Sequence, residues 1–209
     1  MDTKSPAKQA PLAPLLGNVE NDGAPIQKLG ARLRALRIAR GWTLNELALK
    51  SKVSRSALSK VERDEVSPTY DVIQRLARGL DLDIGEFFGT EAVRPRPEGR
   101  RAVSRASQDS TLQGRGYLYR LICAELSTKK MLPFRATILA RTLAEAGGLT
   151  AHSGEECLYV LKGSVEFHTE HYAPTVLNEG DAIYIDSTMA HACVTVGEDA
   201  AEVFWINVT

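Results

Sequence analysis

The 209-residue sequence is poor in cysteine and contains no long apolar run. Its three cysteines, Cys123, Cys157 and Cys193, are widely spaced and odd in number, which argues against a disulfide framework and favours reduced thiols. No run of about 18 apolar residues occurs, and the N-terminus lacks the charged start and continuous apolar block of a signal peptide. From these absences we expect no membrane contact and a location in the cytoplasm.

The sequence also has no net charge, because 26 Lys and Arg balance 26 Asp and Glu, but these charges are unevenly distributed. Residues 26–90 contain 12 Lys and Arg against 8 Asp and Glu, whereas residues 113–209 contain 7 against 12. A basic front half joined to an acidic back half predicts two separate roles, with contact to a polyanion in the front half.

Composition and periodicity divide the chain into four segments. Residues 1–25 are rich in Pro, Ala, Gly, Asn and Asp and are predicted to form a disordered tail. Residues 26–90 have the apolar spacing of five short helices, and residues 91–112 read as a linker with two prolines and several arginines. Residues 113–209 alternate with period two and predict six or more strands of a β-sandwich or barrel.

Three local signals place the starts of helices within residues 26–90. Thr43 followed by Glu46 has the spacing of a capping box at the second helix. Ser54 is placed to cap the third helix, and Pro68 is expected in the first turn of the fourth.

The third predicted helix has an apolar stripe on one side and a polar, basic surface on the other. Val53, Leu58 and Val61 lie on the stripe, so the residues between them project outward. Arginine can contact guanine with two hydrogen bonds, serine can donate or accept, and lysine can hold phosphate. Two short helices joined by a tight turn, the second opening with such residues, match what the DNA major groove admits.

The run 29–88 resembles the Xre family of helix-turn-helix regulators, above all in TLNELALKSKVSRSALSKVERDEVSPT. The resemblance implies that residues 54–63 enter the major groove of double-stranded DNA, that Thr43 and residues 67–70 approach phosphates, and that a homodimer binds paired half-sites. Leu44 departs from the glutamine that many members carry. The implied DNA-binding residues are Thr43, Ser54, Arg55, Ser56, Ser59, Lys60, Arg63, Ser67 and Thr69.

In the back half, the stretch TAHSGEECLYVLKG places His152 and Glu156 an even number of positions apart, which directs both to one side of a strand. The stretch resembles the first motif of the cupin family of small jelly-roll barrels, with Thr150 in place of that motif's first histidine. His191 fits the histidine of the second motif. The resemblance implies a metal site of His152, Glu156 and His191, and two imidazoles with one carboxylate suit Fe or Zn with positions left open.

Further residues are candidates for the lining of the same cavity. Cys193 has the parity of His191, so it is either a soft fourth ligand or redox-sensitive thiol, or a small buried hydrophobe. Arg141 is either a contact for an anionic ligand or a surface residue. The predicted ligand-binding residues are Thr150, Arg141, Tyr184, Cys193 and Trp205.

These resemblances predict a multi-domain α plus β fold, with an all-α helix-turn-helix bundle followed by an all-β cupin jelly-roll barrel. They imply a sequence-specific DNA-binding regulator, not an enzyme, whose cupin domain senses a small-molecule effector, a divalent metal, or both. The alternative is a mononuclear non-haem iron oxygenase, because fosfomycin-type epoxidases also join a helix-turn-helix-like domain to a cupin. The stretch SRSALSK favours the regulator, since a helical domain that serves only an active site has no need of an outward basic surface.

Overall fold

The computed structural model describes residues 26–27, 29–87, 99–106, 111–126 and 128–208, so the predicted tail and most of the predicted linker lie outside the described residues. Among the described helices, none combines the length and apolarity needed to cross a membrane. The elements in chain order are β1 (Ile26–Gln27), α1 (Leu29–Ala39), α2 (Leu44–Ser51), α3 (Arg55–Glu62), α4 (Tyr70–Gly79), α5 (Ile84–Phe87), β2 (Thr111–Gln113), β3 (Tyr117–Leu121), β4 (Met131–Ile138), α6 (Leu143–Ala146), β5 (Glu155–Lys162), β6 (Ser164–Thr169), β7 (Thr175–Asn178), β8 (Ala182–Asp186), β9 (His191–Thr195) and β10 (Ala201–Val208).

The starts of α2 and α3 follow from side-chain caps. The Thr43 hydroxyl accepts from the Glu46 N–H, and the Thr43 N–H donates to the Glu46 carboxylate at 2.6 Å, which completes the predicted capping box. Ser54 caps α3 by accepting from the Ala57 N–H at 3.2 Å. The position of Pro68 differs from the prediction, because Thr69 is the N-cap of α4 and Pro68 therefore precedes the helix.

An apolar core holds the five helices α1–α5 together, and an ion pair also joins α1 to α3. Leu33, Leu58 and Ile73 are completely buried in that core. Arg37 on α1 reaches Glu62 on α3 with two hydrogen bonds, from Nε at 2.6 Å and from Nη2 at 2.8 Å. The end of α3 is thereby fixed against α1.

The helices α2 and α4 approach most closely where Gly79 meets Ser51. A Cβ atom on Gly79 would lie 2.6 Å from the Ser51 Cα, closer than two such carbons can approach. We expect Gly79→Ala to lower the free energy of unfolding by about 1 to 3 kcal/mol through overpacking, whereas this substitution inside an open helix stabilises by about 1 kcal/mol. Urea unfolding measures the change, and a more stable variant would contradict this close packing.

The β domain consists of two sheets that pack face to face. The first has seven strands in the order β1-β2-β3-β4-β10-β5-β8, and the second has three in the order β7-β6-β9. Phe134 and Phe167 are buried between the sheets. The described strands form a two-sheet sandwich, which agrees with the predicted cupin-type β domain, although the sheets do not close into one continuous barrel.

The edge of the larger sheet includes residues that we assigned to other segments. Ile26 and Gln27 pair in parallel with Thr111 and Leu112. The start of the predicted helical domain and the end of the predicted linker are therefore strands of the β domain. Both strands are too short for a period-two pattern to be recognised in the sequence.

The N-terminal end of α4 packs against the β domain. The Arg115 N–H donates to the Pro68 carbonyl at 2.9 Å. The Tyr70 ring lies 5.7 Å from that of Tyr119 and 5.5 Å from that of Phe134, measured between ring centroids. The helical and β domains thus share one aromatic contact surface.

Candidate metal centre and nucleic-acid interface

Three candidate metal ligands converge between the two sheets. Glu156 lies on β5, His191 begins β9, and His152 lies in the loop before β5. Thr150 and His191 exchange two backbone hydrogen bonds, each of 3.0 Å, and the His152 N–H donates to the Ser187 carbonyl at 2.9 Å. These bonds hold the loop beside β9 and bring both histidines to the same carboxylate.

The two imidazoles face different oxygens of the Glu156 carboxylate. His152 Nε2 lies 2.9 Å from Oε1, and His191 Nε2 lies 3.1 Å from Oε2. One ligand atom from each of the three residues lies within 4.8 Å of the other two. Trp205 Nε1 also donates to Glu156 Oε2 at 3.0 Å, which fixes the orientation of the carboxylate.

Backbone carbonyls set the tautomer of both histidines. His152 Nδ1 lies 3.2 Å from the Ser153 carbonyl, and His191 Nδ1 lies 2.9 Å from the Met189 carbonyl. Because a carbonyl can only accept, each Nδ1 carries a proton and donates, and Nε2 is the atom that faces Glu156, where it either donates a second proton to the carboxylate or, without that proton, can bind a metal ion. This outer-shell arrangement is typical of metal-binding histidines.

The charge balance of the centre calls for a cation. Burial alone would raise the pKa of Glu156, but the hydrogen bonds from the two histidines hold it at about 2, so the carboxylate is charged. Burial likewise lowers the pKa of His152, yet the hydrogen bond and charge of Glu156 raise it overall. A proton on an imidazole or a metal ion can neutralise the carboxylate.

The donor set fits a divalent metal ion. Ligand atoms bonded at about 2.1 Å to one octahedral ion lie roughly 3 Å apart, which matches the two nitrogen–oxygen distances of 2.9 and 3.1 Å. Two histidines and one carboxylate are a known ligand set for Fe(II), and they leave positions open for other ligands.

A cavity of about 40 Å³ extends from the centre toward α4. Within the described residues, several of its buried polar atoms complete no hydrogen bond, namely the Tyr70 hydroxyl and both side-chain polar atoms of Asn207. The lining residues are Thr69, Tyr70, Tyr117, Tyr119, Phe134, Ala146, Gly148, Thr150, His152, Glu156, His191, Ala192, Trp205 and Asn207.

A second candidate site is the outer surface of α3. The turn between α2 and α3 is made by Lys52 in the left-handed conformation, at φ 55°. Leu58 and Val61 face the core, while Arg55 and Lys60 are exposed. Across the part of the chain that the structure describes, neither of these two basic side chains forms a salt bridge or hydrogen bond, so both are available to a polyanion.

Comparison with known protein families assigns both halves. The family described as Helix-turn-helix matches residues 33–87, and the family described as Cupin domain matches residues 143–207. The chain joins a helix-turn-helix domain to a cupin domain. The first match covers α2, the turn and α3, and the second covers all three candidate metal ligands.

The curated relatives include two regulators from Escherichia coli (strain K12). The HTH-type transcriptional regulator SutR is 39% identical over 60 residues, which are 29% of this chain and 34% of SutR, so the match spans about a third of that relative. The HTH-type transcriptional regulator PuuR is 24% identical over 171 residues, which are 78% of this chain and 90% of PuuR.

Among solved structures, an HTH_3 family transcriptional regulator from Vibrio cholerae is similar with a TM-score of 0.53 and 21% sequence identity. The similarity covers 87% of this chain and 95% of that one. At this level of identity, the similarity shows a shared fold.

The predicted DNA-binding residues differ in solvent exposure and in their contacts. Thr43, Ser54, Arg55, Ser56 and Lys60 are exposed, and Ser59 and Ser67 are half-buried. Arg63 is exposed but pairs with Glu65 and donates to the Ser59 hydroxyl. Thr69 is half-buried, and its methyl group packs so closely on Gly147 of the cupin domain that a Cβ on Gly147 would lie 2.7 Å from it.

The predicted ligand-binding residues divide into two groups. Thr150 and Trp205 line the cavity. Arg141 and Tyr184 lie outside it, because the Arg141 guanidinium bonds the Glu198 carbonyl and Tyr184 faces outward from β8. Cys193 lies two residues after His191 on β9, where it is buried opposite Phe167 on β6. Burial raises the pKa of its thiol, which disfavours a metal-binding thiolate.

Sequence reasoning missed Tyr70 and Asn207 as cavity residues. Asn207 has the strand parity of Trp205 and pairs with Glu156 across β10 and β5, so a polar residue in AEVFWINV was a usable signal. Tyr70 belonged to the segment that the Xre resemblance directs toward phosphates. Its position depends on how the two domains pack, which local patterns do not encode.

Proposed function

We propose that this protein is a DNA-binding transcriptional regulator whose cupin domain binds a small effector and thereby changes affinity for an operator. The observation that carries the proposal is the outer face of α3, where Arg55, Ser56 and Lys60 are exposed on the second helix of a helix-turn-helix domain. Such residues can hydrogen-bond base edges and phosphates in the major groove. A protein that reads genomic DNA in a bacterium acts in the cytoplasm, which is the location we propose.

The effector site that we propose is the cavity beside His152, Glu156 and His191. These residues would hold Fe(II) or Zn(II), and the ion would supply a Lewis-acidic contact for an oxygen of the effector. Thr150, Asn207 and Trp205 line the space next to the ion, so they would contact the part of the effector that does not bind metal.

Exposed apolar side chains on the outer face of the larger sheet support a homodimer. Tyr159, Leu161 and Tyr184 lie on the same face of β5 and β8, and each is at least 40% exposed. A second copy of the chain would remove this surface from water. It would also present two α3 helices to half-sites about 34 Å apart.

An Arg55→Ala variant is expected to bind its operator about 5- to 150-fold more weakly, since a base-contacting arginine contributes about 1 to 3 kcal/mol. The operator is a duplex that the purified protein selects from a random pool. Fluorescence anisotropy with this duplex gives the dissociation constant, and titration at high concentration is expected to show two chains per duplex.

Lys162→Ala serves as the control, because Lys162 is an exposed cation on the cupin domain, at the end of β5. It is expected to leave operator binding unchanged. Equal affinities of the Arg55→Ala and wild-type proteins would remove Arg55 from the DNA interface, and failure of the pool to yield any preferred duplex would contradict the regulator.

An iron-dependent oxygenase acting on a small anionic substrate is the second candidate. The observation in its favour is the ligand set of two histidines and one glutamate, which leaves coordination positions open for substrate and oxygen. Substrate-dependent oxygen consumption by the iron-loaded protein, abolished in His191→Ala, would favour the enzyme. The exposed basic face of α3 has no role in such a reaction, so we place the regulator first.

A further inference from the structure

Tyr70 is a residue of the helix-turn-helix domain that forms part of the cupin cavity. It is the first residue of α4, yet its ring lies among cupin side chains, 5.9 Å from the His152 ring at an interplanar angle of 65° and 5.5 Å from Phe134. The preceding residue, Thr69, lines the same cavity. One wall of the effector site therefore belongs to the domain that reads DNA.

With Tyr70 in this position, the cavity leaves little enclosed space beside the candidate metal ligands. Its volume of about 40 Å³ holds roughly three water molecules at about 10 to 15 Å³ each. Most of the other walls are strand residues such as Phe134 and Glu156, whose backbones are fixed by sheet hydrogen bonds, and the loop that carries Thr150 and His152 is held by backbone hydrogen bonds to His191 and Ser187. The Tyr70 ring, carried on a helix from another domain, is the wall that an effector can displace.

Unpaired polar atoms next to Tyr70 indicate the chemistry of the effector. Asn207 is 1% exposed, and neither its amide nitrogen nor its oxygen completes a hydrogen bond within the described residues. The Tyr70 hydroxyl lies beside the Gln74 and Asn207 side chains, yet within the described residues neither it nor Gln74 Oε1 meets a partner in full hydrogen-bond geometry. Buried polar groups are nearly always paired, so this cluster fits a ligand that offers both donors and acceptors.

Movement of α4 would pass directly to the DNA-reading helices. Gly79 on α4 touches the Ser51 backbone at the end of α2, with no room for a Cβ atom between them. Arg75 on α4 donates to the Lys52 carbonyl at 3.2 Å, in the turn between α2 and α3. Because the Gly79–Ser51 contact leaves no free space and Arg75 bonds the turn, we expect a shift of α4 to move α2 and the turn.

We propose that Tyr70 couples the cupin cavity to DNA binding within one chain. A small polar effector, with donors and acceptors for Asn207 and Tyr70 and an oxygen for the metal, displaces the Tyr70 ring and shifts α4, α2 and α3. This inference rests on the proposed function, because it explains how the effector would change operator affinity.

Because the effector is unidentified, the test fills the cavity with a larger side chain in place of a ligand. Thr150 lines the cavity, so Thr150→Leu is expected to displace Tyr70 as a ligand would. We expect amide hydrogen exchange in α4 to accelerate, and operator affinity to change, each by roughly fivefold or more, the lower end of typical coupling between sites. In a Tyr70→Ala background the added leucine fits in the space of the missing ring, so its further effect is expected to stay below about twofold.

Two comparisons make the outcome decisive. Thr175→Leu adds the same volume on the exposed strand β7 and is expected to change neither measurement. Tyr70→Phe, which keeps the ring, is expected to respond to Thr150→Leu as the wild type does, and Tyr70→Val supplies the background without a ring if Tyr70→Ala fails to fold. Unchanged exchange in α4 of the Thr150→Leu variant, or an equal effect with and without the Tyr70 ring, would overturn the coupling.

Hydrogen exchange needs no DNA, so it separates this inference from the proposed function. Faster exchange in α4 of the Thr150→Leu variant, in a protein that selects no operator, would support the coupling and contradict the regulator. Operator binding by the protein, with unaltered exchange in α4 of the Thr150→Leu variant, would support the regulator and contradict the coupling.

Discussion

A His191→Ala variant is expected to lose the divalent metal that we propose for the wild-type protein. His191 supplies one of three ligand atoms that lie within 4.8 Å of one another, and its removal leaves two. Loss of an outer-shell partner weakens metal binding by about 10- to 100-fold, so loss of a direct ligand is expected to exceed about 100-fold. Elemental analysis of the purified protein and a Zn(II) titration against a competing chelator measure the change.

Two further variants set the scale of this effect. His171→Ala removes an exposed histidine between β6 and β7 and is expected to leave metal content unchanged. Trp205→Phe removes the N–H that donates to Glu156 at 3.0 Å, and an intermediate loss of about 10- to 100-fold is expected. A native protein that remains metal-free under metal-replete conditions would instead favour direct binding of the effector by the three side chains.

A Glu62→Ala variant is expected to lose about 3 kcal/mol of unfolding free energy, the lower end for breaking a buried ion pair. The side chains of Arg37 and Glu62 are 14% and 7% exposed, so removal of the carboxylate leaves the guanidinium charge buried and unpaired. Urea unfolding, followed by circular dichroism at a helix wavelength, measures the change. Weaker operator binding is expected to accompany it, because the pair fixes the end of α3.

Glu65→Ala is the matched control. Glu65 pairs with Arg63 at the same 2.6 Å distance, but both side chains are about half exposed. Solvent screens that pair, so its removal is expected to leave the urea concentration at the midpoint of unfolding unchanged. If both glutamate variants unfold at the same urea concentration, the buried pair does not fix α1 to α3.

The elements that follow from local signals were predictable from the sequence. The Thr43 and Ser54 caps depend on hydrogen bonds to residues three positions away, and both are present in the structure. His152 and Glu156 do meet in one site, where their atoms lie 2.9 Å apart, but strand parity is not the reason, because His152 lies in the loop before β5.

Features that depend on contacts between distant segments were not predictable in the same way. Cys193 and His191 share strand parity, yet only His191 reaches the cavity, because depth between two sheets is set by packing and not by alternation. The placement of Thr69 and Tyr70 required the docked arrangement of both domains. A resemblance in either domain alone carries no information about that contact.

The parallel pairing of β1 with β2 constrains how the DNA-reading domain can travel. One residue separates β1 from α1, so the entrance to the helical domain is anchored at the edge of the cupin sheet. If α4 shifts as proposed, the β1–β2 pairing remains as the fixed attachment, and the helical domain would pivot about β1. In the proposed homodimer such a pivot would change the angle between the two helix-turn-helix domains, so we expect an effector to alter the preferred spacing or bend of the operator and not to separate the two domains.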